Sequence, residues 1–211
     1  MPPWLVALVF AGCGGLQPPS PVAKPCPAQL RLIIASQEDV TAAIGCTEIS
    51  ELSLRTGATV DVSALRSLER ISGALVVGPT IGIEEVTLPR LREVGGAIQV
   101  ASNGSLRGLF LPLLERAGGV AIAANVALTT VSLPRLAAVV GDLAIDENAS
   151  LELLDVPQLR SVGGALAITR NAKLTLLEAA SLDQVASVTV TGSPLLDDSV
   201  VEALSERTSP Q

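Results

Sequence analysis

The chain has 211 residues, 48% of them hydrophobic and only 17% charged, enough apolar material to bury the core of one domain of moderate size. Its net charge of −7 argues against a nucleic-acid surface, which draws on clustered Lys and Arg. His and Tyr are absent, and Phe110 is the one aromatic outside the N-terminal apolar run, which removes imidazole acid–base chemistry, His-ligated metals and aromatic platforms for sugars or bases.

In chain order, Trp4 to Phe10 forms an apolar run too short for a membrane-spanning helix, which needs roughly 20 apolar residues. It suits the apolar segment of a secretory signal, here residues 1–12. The run ends in "VFAGC", which resembles the lipobox of bacterial lipoproteins. That resemblance implies acylation of Cys13, anchoring to a membrane through the N-terminal lipid, and residence in the cell envelope, at the outer membrane or cell surface. The alternative is an ordinary secretory signal with an incidental Cys13 and a secreted product. "GGLQPPSPVAKP" follows and reads as a tether that makes up residues 13–25 together with the anchor Cys13, ahead of a folded body at 26–207 and a short tail at 208–211.

Cys26 and Cys46 are an even pair in a chain that reads as exported, so a disulfide is expected; two buried free thiols are the alternative. Between them "SQEDVTAAIG" reads as a short helix with Ser36 as N-cap and Asp39 in a capping-box position.

From Ser50 onward the sequence repeats. Ser50, Gly73, Gly96, Gly118, Gly141, Gly164 and Ala186 are equivalent positions, 22 or 23 residues apart, the period of a solenoid. After each Gly comes an apolar pair two apart: Leu75/Val77, Ile98/Val100, Val120/Ile122, Leu143/Ile145 and Leu166/Ile168. A period of two places each pair inward from a short strand. A second strand repeats the device at Val86/Leu88, Leu109/Leu111, Val131/Leu133 and Leu154/Val156, so two walls of one core are expected. Pro at 89, 112, 134 and 157 suits a corner leaving that strand. The repeated Gly suggests a backbone conformation closed to other residues. Asn103, Asn125, Asn148 and Asn171 recur at one corner and are expected to stack as a structural ladder, each amide satisfying backbone groups where the strand turns. Two of the four sit in glycosylation sequons, which read as by-products of that role. "DDSVVEALSER" at 197–207 reads as a capping helix with Arg207 in its last turn.

The pattern resembles the receptor L-domain family, on the strength of the paired Cys26 and Cys46 around a helix-like segment, the "CTEI" that leads into the first rung, and the recurring "LPxLxxVGGxLxI" phrase. The resemblance implies a mainly β, right-handed solenoid of about six to seven rungs with short capping helices, placed outside the cytoplasm and serving binding rather than catalysis. An ordinary leucine-rich repeat is the nearest competing pattern; there the apolar residue follows Asn at the second position, and here at the third.

Carboxylates at Glu84, Glu85, Glu152, Asp155 and Glu178 fall on outward positions of the second strand, with Asp155 and Glu178 on adjacent rungs; a solvated acidic face is the favoured reading over glycoside hydrolysis. Asp142, Asp146 and Glu147 lack the spacing of a calcium loop, so neither metal nor cofactor is expected. The first strand's outward column (Ser53, Val76, Gln99, Ala121, Ala144, Ala167, Thr189) is small and uncharged, unusual for a solvated sheet. The candidate binding face comprises Val76, Gln99, Ala121, Ala144, Ala167 and Phe110. Crowded parallel strands that merely tolerate small residues are the alternative. The expected function is a non-enzymatic, membrane-anchored module that binds a protein or glycan, against a structural envelope lipoprotein without a soluble ligand.

Overall fold

The computed structural model describes residues 26–27 and 30–207. The expected signal segment, Cys13, the rest of the tether and the 208–211 tail lie outside the described residues.

The period-two apolar pairs do face inward. Leu75, Val77, Ile98, Val100, Ile122, Leu143, Ile145 and Ile168 are each at most 1% exposed. Because every rung repeats the same alternation, successive strands pair in parallel, and Leu143 sits in register between Val120 and Leu166. The result is a β-solenoid of about seven turns. Its walls are an eleven-stranded sheet and a five-stranded sheet.

The repeat builds one wall more than the two-strand expectation. The segment ahead of each Gly is itself a strand: Ile49, Ile71, Val94, Ala117, Val139, Val162 and Val185 form a further buried column. In three coils this strand is short and separate, as at Arg70–Ile71; elsewhere it runs on into the next strand, as in Glu93–Ala101, with a register shift between Val94 and Ala97. In the first four coils its outward positions alternate in charge along the axis, Glu48 beside Arg70, Arg70 beside Glu93, Glu93 beside Arg116, and in the last three they are Ala138, Ser161 and Gln184. Arg70 and Glu93 form an ion pair at 3.2 Å.

At the corner after the second strand, Leu91, Leu114, Leu136 and Leu159 each donate a backbone N–H to the carbonyl three residues earlier, so Pro89, Pro112, Pro134 and Pro157 occupy the second position of a β-turn. The repeated glycines act differently from expectation. None of Gly73, Gly96, Gly118, Gly141 and Gly164 has a positive φ; among the described glycines only Gly45, Gly78 and Gly192 do. Their role is steric: a Cβ on Gly118 would stand 2.4 Å from the Gly95 carbonyl oxygen of the preceding coil. The left-handed turn falls instead on the residue before each Asn, at Ser102, Ala124, Glu147 and Arg170, with φ between 53 and 58°.

The asparagines stack as expected. All four are fully buried. Each Nδ2 donates back to a carbonyl of the preceding coil, Asn103 to Val77, Asn125 to Val100, Asn148 to Ile122 and Asn171 to Ile145, at 2.9–3.1 Å. Each Oδ1 beyond the first accepts from the backbone N–H and Nδ2 of the Asn before it. Thr80, where the Asn is missing, joins the ladder by donating its N–H and hydroxyl to Asn103 Oδ1.

Both ends are capped. Helix α1 (Gln37–Ala42) begins at Ser36, and the Asp39 carboxylate accepts from the N–H groups of Ala35 and Ser36 and from the Ser36 hydroxyl. Cys26 and Cys46 form a disulfide with their Cα atoms 5.3 Å apart, fastening the chain ahead of the first strand to the loop beyond α1. Helix α2 (Asp198–Ser205) is capped by Asp197, whose side chain accepts from Ser199 N–H. Arg207 lies past the end of α2 rather than in its last turn. It donates to the carbonyls of Ala179, Ala180 and Leu182, satisfying acceptors at the open end of the last coil.

Candidate functional site

The alternation that turns the apolar pairs inward turns the residue between them outward. Strand register then stacks these residues into one column: Ser53 beside Val76, then Gln99, Ala121, Ala144, Ala167 and Thr189. Gln99 and Ala121 are exposed, and Val76, Ala144 and Ala167 are half-buried by their neighbours. A flanking column continues the pattern, with Ala97 beside Gly119 and Ala165 beside Ser187, and on the other side Ala101 stands beside Ala123. Small side chains on a parallel sheet give a surface with little relief and few torsions to freeze on contact.

Charge enters this face from its C-terminal half. Asp146, between Ala123 and Thr169 in register, accepts from the Thr169 hydroxyl and pairs with Arg170, which also reaches Glu147 at 3.0 Å. Asp142 Oδ1 accepts the Ala165 N–H at 2.8 Å. These three acids are thus engaged in holding neighbouring coils.

Phe110 does not join the column. It lies on the five-stranded sheet, in register with Thr87 and Ser132, while the other five residues lie on the eleven-stranded sheet. Its ring covers Gly108, where a Cβ would stand 2.3 Å from the ring edge. Phe110 is half-buried by this arrangement.

The second-strand carboxylates also separate. Asp155 and Glu178 are register neighbours, and the Ser132 hydroxyl donates to Asp155 Oδ2 at 2.7 Å. Glu84 and Glu85 instead line a cleft of about 440 Å³ with Asp61, between the strand Glu85–Thr87 and the 3-10 helix Val62–Ser67. Sequence reasoning missed this cleft. The sequence carries only one trace of it: the segment 58–68 has no Pro, where the next four coils place one after "ΦxΦ" (Φ, an apolar residue).

The sequons lead to buried amides: Asn103 and Asn148 are both wholly inside the ladder, with Nδ2 committed to hydrogen bonds.

In comparisons with known proteins, no family model, no curated protein and no solved structure matches the chain.

Proposed function

We propose that the chain is a non-enzymatic binding module, held outside the cytoplasm by a lipid on Cys13, that presents the column of Val76, Gln99, Ala121, Ala144 and Ala167 to a protein or glycan partner. One observation carries the reading: the register stacks these uncharged side chains on successive strands of a single sheet. A surface sheet exposed only to water usually carries charge, as the first four coils of the third wall do with Glu48, Arg70, Glu93 and Arg116. The Cys26–Cys46 bridge supports an oxidising compartment. The L-domain resemblance, drawn from the sequence phrases, supports binding as the role.

The test uses two single variants, Ala144→Glu and Ala167→Glu, which add a charged side chain at the centre of the face without reaching the core. Both are expected to keep the wild-type thermal midpoint and to lose capture of a partner from envelope extracts. Capture that survives both changes, or the lack of any partner, would refute the face and favour a structural envelope protein. Anchoring is tested separately: the wild type should stay with membranes through a high-salt wash and leave them in detergent, and Cys13→Ser should abolish that retention.

A further inference from the structure

The five-stranded sheet ends at Glu85–Thr87, which pairs on one side only, with Gly108–Phe110. In the preceding coil the chain forms the 3-10 helix Val62–Ser67, so among the described residues no strand stands on the other side. Ladder parity fixes which backbone groups are left over. Leu88 donates its N–H to the Phe110 carbonyl at 3.1 Å, and the Glu84 carbonyl accepts the Arg107 N–H at 2.7 Å. The Glu84 carbonyl, Val86 and the Leu88 N–H therefore face Gly108–Phe110, and Glu85 and Thr87 direct their backbone groups the opposite way, into the cleft.

The cleft has the makings of a receiving groove. Val60, Val62 and Ile83, all buried, form its apolar lining, and Ile81 stands on its rim 68% exposed. Asp61, Glu84 and Glu85 supply three carboxylates, and no Lys or Arg is among the lining residues. The far wall is fixed in place, because the Gln37 side chain accepts the Asp61 N–H at 2.8 Å and donates to the Asp61 carbonyl at 3.2 Å. The Thr87 hydroxyl donates to Glu85 Oε1 at 2.7 Å.

We propose that this cleft binds an extended peptide segment bearing Lys or Arg, which adds a strand to Glu85–Thr87. The two free N–H groups and two free carbonyls of Glu85 and Thr87 match the backbone of another strand, and strand addition is the recognition mode that uses them. The three carboxylates select cationic side chains, whose aliphatic stems suit the apolar lining. This site lies on the other sheet from the flat face and is independent of it.

The test measures fluorescence anisotropy of a labelled, end-blocked peptide alternating Lys and Val, titrated with the detergent-solubilised full chain at low salt. Two N-methylated versions of the peptide block one or the other edge of its backbone without altering the protein. Saturable binding is expected, weakened about tenfold by one N-methylation pattern and little by the other, since only one edge faces the protein. Replacing Lys by Glu in the peptide should abolish binding, and the double variant Glu84→Gln, Glu85→Gln should weaken it about tenfold with an unchanged thermal midpoint. Ala144→Glu should leave it unaltered. Equal binding of the Glu peptide, indifference to both N-methylation patterns, or no saturation at millimolar concentration would each overturn the proposal.

Discussion

The Asn125 side-chain amide donates to the Asn148 side-chain oxygen at 2.9 Å, across 23 residues of sequence and one coil of the solenoid. The same amide nitrogen donates to the Val100 carbonyl, and the Asn125 oxygen accepts both the N–H and the Nδ2 of Asn103. One buried side chain thus ties together three coils. Removing it strands groups on both sides, so Asn125→Ala and Asn148→Ala should each cost roughly 1–3 kcal/mol in denaturant unfolding. A midpoint unchanged at both sites would refute the ladder's energetic role.

The ladder stops one position early. Ser193 follows Asn171 by the repeat spacing, and its hydroxyl is buried without a hydrogen-bond partner. An amide there would reach groups the shorter hydroxyl does not. Ser193→Asn is expected to raise stability by about 1 kcal/mol, read as a higher denaturation midpoint with unchanged slope. A lower midpoint would show that the last coil cannot accept the ladder.

Glycine tolerance should follow contact distance and not sequence equivalence. A Cβ on Gly96 would stand 2.8 Å from the Gly73 carbonyl carbon, and one on Gly57 would meet nothing within 4 Å. Gly96→Ala should cost about 2 kcal/mol or more, because the clash is with backbone, while Gly57→Ala should stay within about 0.5 kcal/mol. Equal thermal midpoints for the two variants would contradict the steric account.

The disulfide closes a loop of 20 residues, for which chain entropy gives about 3 kcal/mol of stabilisation. Its loss should be felt where it is attached. In Cys26→Ser, Cys46→Ser, amide exchange should accelerate in Arg31–Ile34 and Glu51–Leu54 and change little in Leu143–Asp146. Uniform acceleration along the solenoid would mean that the coils unfold as one unit.

Acid should weaken the ends of the molecule. The Ala35 N–H, then the Ser36 hydroxyl and N–H, hold the Asp39 carboxyl below its ordinary pKa. The Ser63 N–H does most to lower Asp61, and the Ser199 hydroxyl and N–H lower Asp197. A carboxyl depressed in the folded state contributes stability that is complete above its unfolded value, about 3.9, and lost as pH falls through the lower folded value. With no His or Tyr to titrate, the thermal midpoint should be level from about pH 5.5 to 8.5 and fall below about pH 4. Asp39→Asn combined with Asp197→Asn should flatten part of the acid limb.

The solenoid was legible because its repeat is written in side chains whose roles are local. Leu143 and Ile145 alternate with Ala144, so the chain's own pleat assigns inside and outside, and the 22–23-residue spacing brings like positions together. The capping box at Ser36 and the Asn corner were readable for the same reason. The third wall was not, because Glu93-Val94 is too short to show an alternation and acquires strand geometry only by pairing with Arg70–Ile71 and Arg116-Ala117.

Sequence by itself determined the period, the inward columns and the ladder residues, since each rests on spacing along one chain. Tertiary structure alone decided the rest. It half-buried Phe110, whose ring lies over Gly108, where the alternation alone assigned only an outward position. It turned Glu84 and Glu85 from members of an acidic face into the wall of a cleft, because the coil before them makes a 3-10 helix where the later coils make a strand. Close approach of one coil's backbone to the next, as at Gly118 and Gly95, demands glycine there, and that demand arises only once the coils are stacked.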